Sequence, residues 1–198
     1  MKRIIYAISL GVLLATPVLS QAIDTTPMIR VTNEHSGQYD ESLDTFTETK
    51  FFGPYQFRVL KDAIETQGET KDIDGRVFRT SDGGFMHVKA KSIDDSSMSL
   101  DNEIKNLVKD RTIPEPTVKM VLPIKDDVIE VNNDGVRSLL AEFMYGWPLK
   151  NRTDMVLVTD YEDTRYYYNL QFYRDKLPEG IRIEQLRQMI MDAQFSYK

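Results

Sequence analysis

The sequence predicts an α+β domain: an antiparallel β-sheet with helices packed on it. Two observations carry this reading. From Phe51 onward, segments in which apolar and polar residues alternate are separated by short turns rich in Gly, Asn and Asp. Only two stretches show helical spacing, one inserted among the strands and one at the C-terminal end, and that element order belongs to an α+β domain.

The elements follow in chain order. Lys2 and Arg3 precede an apolar run from Ile4 to Leu14, then Pro17 and the small-residue pattern Ser20-Gln21-Ala22. This predicts a bacterial Sec-type signal peptide over residues 1–22, cleaved after Ala22, and hence a periplasmic or secreted protein. The run is shorter than the roughly 20 apolar residues of a membrane-crossing helix, so no membrane segment is expected after cleavage. Residues 23–50 are polar and read as an N-terminal arm, and residues 51–198 as a single α+β domain. In "PYQFRVL", Tyr55, Phe57 and Val59 alternate with Gln56 and Arg58 in the period of a half-buried strand.

"RVFRTSDGGFMHVKAK" predicts a hairpin turning at Asp82-Gly83-Gly84. Beyond the turn Met86, Val88 and Ala90 share one side, and His87, Lys89 and Lys91 the other. "SLDNEIKNLVKD" places Leu100, Ile104, Leu107 and Val108 on one helical face, with Ser99 as N-cap and Asp101 and Glu103 at the positive end of the helix dipole. Pro114 and Pro116 break the chain, and strands are expected around 118–122, 128–131 and 136–145, the last two joined through Asn132-Asn133-Asp134-Gly135. "DMVLVTDY" turns at Glu162-Asp163 into "TRYYYNLQFYRD", where Tyr166, Tyr168, Leu170 and Phe172 form a core face. Ile183, Leu186, Met189, Ile190 and Ala193 mark the terminal helix.

Charge and composition exclude several functions. The chain carries a net charge of -6, and loss of Lys2 and Arg3 with the signal peptide deepens it to -8. Such a surface repels phosphate backbones, and the run His87, Lys89, Lys91 is too short for a nucleic-acid stripe. With no cysteine, thiol nucleophiles, thiolate metal sites and disulfides are excluded.

The order of these elements resembles the PsbP-like superfamily, which includes the bacterial DcrB-type periplasmic proteins and the Ran-binding Mog protein. The residues that carry the resemblance are "PYQFRVL", "DGGFMHV", "SLDNEIKNL", "RSLLAEFMYG", "TRYYYNLQFY" and the closing "LRQMIMDAQFSY", where Ala-Gln-Phe stands in place of the family's more frequent Ser-Phe. The resemblance implies a PsbP-like α/β/α sandwich and a family used for binding rather than catalysis. It brings over no active-site residue.

The chemistry legible in the residues agrees. His35 and His87 are isolated, with no nucleophile elbow to serve, and they are too few for a histidine zinc site. Glu130, Asn132, Asp134 and Gly135 match the first positions of a calcium loop, but Ala141 stands where the bidentate glutamate belongs, and a hairpin turn is favoured. No catalytic residue, metal ligand or cofactor is therefore assigned, and the expected function is a non-enzymatic binding or accessory module with a protein partner. The alternative is an envelope hydrolase or metal-dependent enzyme whose carboxylates converge only in the fold. The binding candidates are Tyr167, Asn169 and Tyr173, on the face of their strand opposite the core, and Trp147 in "YGWPL". Tyr167 and Tyr173 either lie under a helix or form an exposed amphipathic patch, in which case their replacement by alanine weakens binding and spares the fold.

Overall fold

A computed structural model describes residues 33–36, 41–66, 75–112, 121–123, 128–145 and 151–196. Residues 1–22, the expected signal peptide, lie outside the described residues, as does Trp147.

The elements are β1 (Asn33–Ser36), a short 3-10 turn (Glu41–Thr45), β2 (Thr47–Phe52), β3 (Tyr55–Leu60), β4 (Ile64–Thr66), β5 (Arg76–Arg79), β6 (Phe85–Ser92) and α1 (Leu100–Thr112). They continue with β7 (Val121–Pro123), β8 (Ile129–Asn133), β9 (Val136–Tyr145), β10 (Arg152–Tyr161), β11 (Thr164–Tyr173), α2 (Ile183–Met191) and β12 (Gln194–Phe195). Among the described residues the main sheet has nine strands in the order β1-β8-β9-β10-β11-β6-β5-β4, with β7 also on β9. Its pairs are antiparallel except β1 with β8. A second sheet of three strands, β12-β3-β2, lies apart from it.

Local chemistry sets the turns. Asn133 pairs with Val136, so Asp134 and Gly135 form a two-residue loop; their φ of 52° and 83° are the left-handed values such a hairpin requires, and the Asn132 Oδ1 accepts from the Gly135 N–H. The residues that resembled a calcium loop are this hairpin. At the β5–β6 turn Gly84 packs so close to the Thr80 hydroxyl that a Cβ would come within 2.5 Å of it. Ser99 caps α1 as expected, its Oγ accepting from the Asn102 N–H at 3.4 Å.

Strand parity then divides the core in two. On the inner face of the main sheet, Tyr166, Tyr168, Leu170 and Phe172 of β11 pack with Met86 and Val88 of β6 against Tyr55, Phe57 and Val59 of β3 and against Leu186, Met189 and Ile190 of α2. On the outer face, Leu100, Ile104 and Val108 of α1 cover Leu139, Ala141 and Phe143 of β9, Val156 and Val158 of β10, and Tyr167. The result is a three-layer sandwich with α1 on one side of the sheet and α2 with the small sheet on the other.

Two departures from the sequence reading are physical. The strand "PYQFRVL" lies in the small sheet, where its aromatic face looks across at the main one; alternation reports one buried face and is silent about which strands pair. Residues 41–50, read as the end of the polar arm, carry the 3-10 turn and most of β2, and Leu43 is fully buried in the inner core. Leu43→Ala is expected to cost about 2 to 5 kcal/mol of stability, the range for an aliphatic side chain removed from a closed core. A urea unfolding midpoint unchanged from the parent would show that this turn does not belong to the folded unit.

Candidate functional site

The site grows from incomplete cover on the outer sheet face. α1 lies over β9 and β10 and reaches only the first part of β11, so its flank and the strands beyond it, β11 and β6, form a groove of about 760 Å³. Residues directly opposite in an antiparallel pair point to the same side. Lys89 therefore stands beside Tyr167, His87 beside Asn169 and Lys91 beside Arg165, and all of these but Arg165 line the floor. Glu103, Asn106, Leu107 and Asp110 of α1 make the wall.

Tyr167 is the hinge of this arrangement. It is buried, with 7% of its surface exposed. Its hydroxyl donates to Glu103 Oε1 at 2.7 Å, and the Lys89 ammonium sits 4.8 Å from its ring centroid. Burial, and then the neighbouring Glu103 carboxylate, push the phenol well above its ordinary pKa, so it stays a hydrogen-bond donor. The other Glu103 oxygen accepts from Arg165 at 3.2 Å, and Arg165 also grips Asp160. Glu103 is thus committed to the joint between α1 and β11.

His87 is half-buried, and its Nε2 is enclosed without a hydrogen-bond partner. Burial, then Lys89, hold the imidazole below its usual pKa, which keeps it neutral at neutral pH. The outer face continues past the groove to Phe85, Gln171 and Tyr173, which with Arg79 and the Thr80–Gly84 turn border a smaller hollow. Arg79 lies over the Phe85 ring at 5.5 Å, and Lys176 over the Tyr173 ring at 5.6 Å.

Of the four binding candidates, Tyr167 and Asn169 meet in the groove, and Tyr173 lies in the adjoining hollow. Tyr167 enters as a packed residue held by α1, not as a free-standing patch, because the helix it lies under is anchored by Leu100, Ile104 and Val108. Sequence reasoning missed Lys89 as its partner. The signal was present in the alternation of His87, Lys89 and Lys91, but the pairing of β6 with β11 was not.

The groove's polar groups are cations, amides, an imidazole, a phenol and two carboxylates. Its lining holds no serine or threonine, and its one phenol is held protonated. The buried carboxylates lie elsewhere, each with a guanidinium: Glu142 with Arg187, Asp154 with Arg111 and Arg152, and Asp192 with Arg58. Among the described residues no three histidine or carboxylate side chains converge on a metal position, and no helix is long and apolar enough to cross a membrane.

The molecule is an α+β sandwich with a partly covered sheet face. In particular, it has the PsbP-like fold. A solution structure of cyanobacterial PsbP from Synechocystis sp. PCC 6803 superimposes with a TM-score of 0.56 at 13% identity, covering 81% of this chain and 98% of that one. The likeness is one of fold, and it does not bear on the DcrB-type or Ran-binding Mog proteins. A crystal structure from Bacteroides thetaiotaomicron VPI-5482, also at 13% identity, covers 73% of this chain and 46% of that one, but its TM-score of 0.43 is too low to indicate a shared fold. No protein-family model and no curated protein matches the sequence.

Proposed function

We propose that this protein is exported and works as a non-enzymatic binding or accessory module, taking a protein partner in the groove between α1, β11 and β6. The observation that carries the reading is the half-covered outer face. A core face would be closed by a second helix, whereas here Lys89 and Lys91 stand exposed and His87 and Asn169 half-exposed beside the flank of α1. A depression lined by exposed ammonium groups and side amides supports a partner of complementary charge. The basic-then-apolar leader of residues 1–14 supports export. The use of the fold by PsbP lends the accessory role by analogy of architecture.

A photo-crosslinking amino acid at Asn169 tests the reading in the source cell's envelope, with the same group at Glu184 on the exposed side of α2 as the control. A discrete adduct is expected at Asn169 and not at Glu184. No adduct at Asn169, or equal labelling at both positions, would remove the groove from consideration.

A further inference from the structure

In a chain of net charge -6, the outward positions of β5 and β6 form an exception. Arg79, Lys89 and Lys91 point outward and are exposed, and none makes an ion pair among the described residues. Arg79 and Lys89 rest on aromatic rings instead. Seven guanidiniums of the sandwich are matched to carboxylates, those of Arg58, Arg76, Arg111, Arg137, Arg152, Arg165 and Arg187. The outward positions of β6 and β11 hold no carboxylate at all: Phe85, His87, Lys89 and Lys91 on one, Arg165, Tyr167, Asn169, Gln171 and Tyr173 on the other. The groove's two carboxylates are both on α1, and Glu103 is already bound to Tyr167 and Arg165, leaving Asp110 near the end of the helix.

Building on the binding role proposed above, we infer that the groove's occupant is an extended acidic polypeptide segment with carboxylates at alternate positions. The spacing is the reason. Lys89 and Lys91 are two residues apart on one strand, so their stems are separated by roughly 7 Å, and side chains on one face of an extended peptide repeat at the same interval. A segment lying along β6 sets one carboxylate on each ammonium. The side amide of Asn169 remains for its backbone, and Leu107, with Met98 held by the Asn106 amide, for apolar side chains. A nucleic acid fits poorly, because two lysines on one strand are too short a basic stripe to follow a phosphate backbone. A flat membrane surface does not enter a groove walled by a helix.

The test is selection of a random dodecapeptide phage library on the full chain, in parallel with the double variant Lys89→Glu/Lys91→Glu and with Glu184→Lys on α2 as a remote charge control. Both lysines are exposed, so the variant is expected to fold, which far-ultraviolet circular dichroism checks. The parent and the remote control should enrich peptides with Asp or Glu at alternate positions. Reversal should abolish that enrichment and weaken the best synthetic peptide about tenfold to about a hundredfold, mostly through lost charge complementarity. The parent's affinity should also fall with added salt.

Enrichment of peptides without carboxylates, enrichment that survives reversal, or no enrichment would overturn the inference. So would lysine-dependent retention on phosphatidylglycerol vesicles or on an oligothymidine without peptide selection, which would assign the lysines to a membrane or to a nucleic acid. An Asn169 crosslink that persists in the reversed variant defeats this inference alone, whereas its absence from the parent defeats the binding role itself.

Discussion

Arg58→Met is expected to lower stability by about 3 to 5 kcal/mol, the cost of leaving a buried charge without its partner. Arg58 is 4% exposed, on the side of β3 that faces away from the main sheet. Its guanidinium reaches Asp44 at 2.7 Å, the Thr47 hydroxyl at 3.1 Å and Asp192 at 3.5 Å. The Asp44 side chain is half in solvent and can rehydrate when the guanidinium is removed, but that of Asp192, 4% exposed at the C-terminal end of α2, cannot. The double variant Arg58→Met/Asp192→Leu removes both buried charges and is expected to recover much of the loss, because an apolar pair of similar volume often replaces a buried ion pair at little net cost. Urea unfolding of the parent, the single and the double variants separates the cases. A single variant within about 1 kcal/mol of the parent would show that the cluster is hydrated and structurally idle.

The second large effect belongs to Tyr167. Tyr167→Ala removes a ring packed between α1 and the sheet and is expected to cost about 3 kcal/mol or more, in the range of other buried aromatic truncations. Tyr167→Phe keeps the ring and loses only the hydrogen bond to Glu103, so about 1 to 2 kcal/mol is expected. Thermal and denaturant unfolding of the two variants gives the comparison. Equal, small effects would mean that α1 does not rest on this ring. Of the two alternatives the sequence left open for Tyr167, a place under a helix or an exposed patch whose truncation spares the fold, the structure has the first. The Tyr167 ring lies under the Lys89 ammonium and its hydroxyl holds Glu103.

How much of this was legible in the sequence differs by element. The hairpin at Asp134-Gly135 was written in local residue preference, because its turn needs left-handed backbone that few residues adopt readily: Asp134 at φ 52° and Gly135 at 83°. The two helices were equally plain, since Leu100, Ile104 and Val108, and Leu186, Met189 and Ile190, repeat at helical spacing and all are buried. The core face of β11 followed from parity alone. The site was only half legible. Tyr167 and Asn169 could be placed on one face, but the cover over Tyr167 and the gap over Asn169 depend on where α1 lands, and Trp147 lies outside the described residues.

The sequence by itself determined the long strands, the two helices, the Asp134-Gly135 turn and which side chains of these elements share a face, because these rest on backbone preferences and on periods of 2 and 3.6 residues that act between near neighbours. Tertiary structure alone decided that β3 leaves the main sheet for a second one, that Arg58 is buried while Lys89 is not, and that β6 pairs with β11 to set Lys89 on Tyr167. The physical reason is the same in each case. Burial and pairing are set by contacts between segments far apart in the chain, and a polar residue on an alternating strand reads identically whether water, a helix or a partner lies above it.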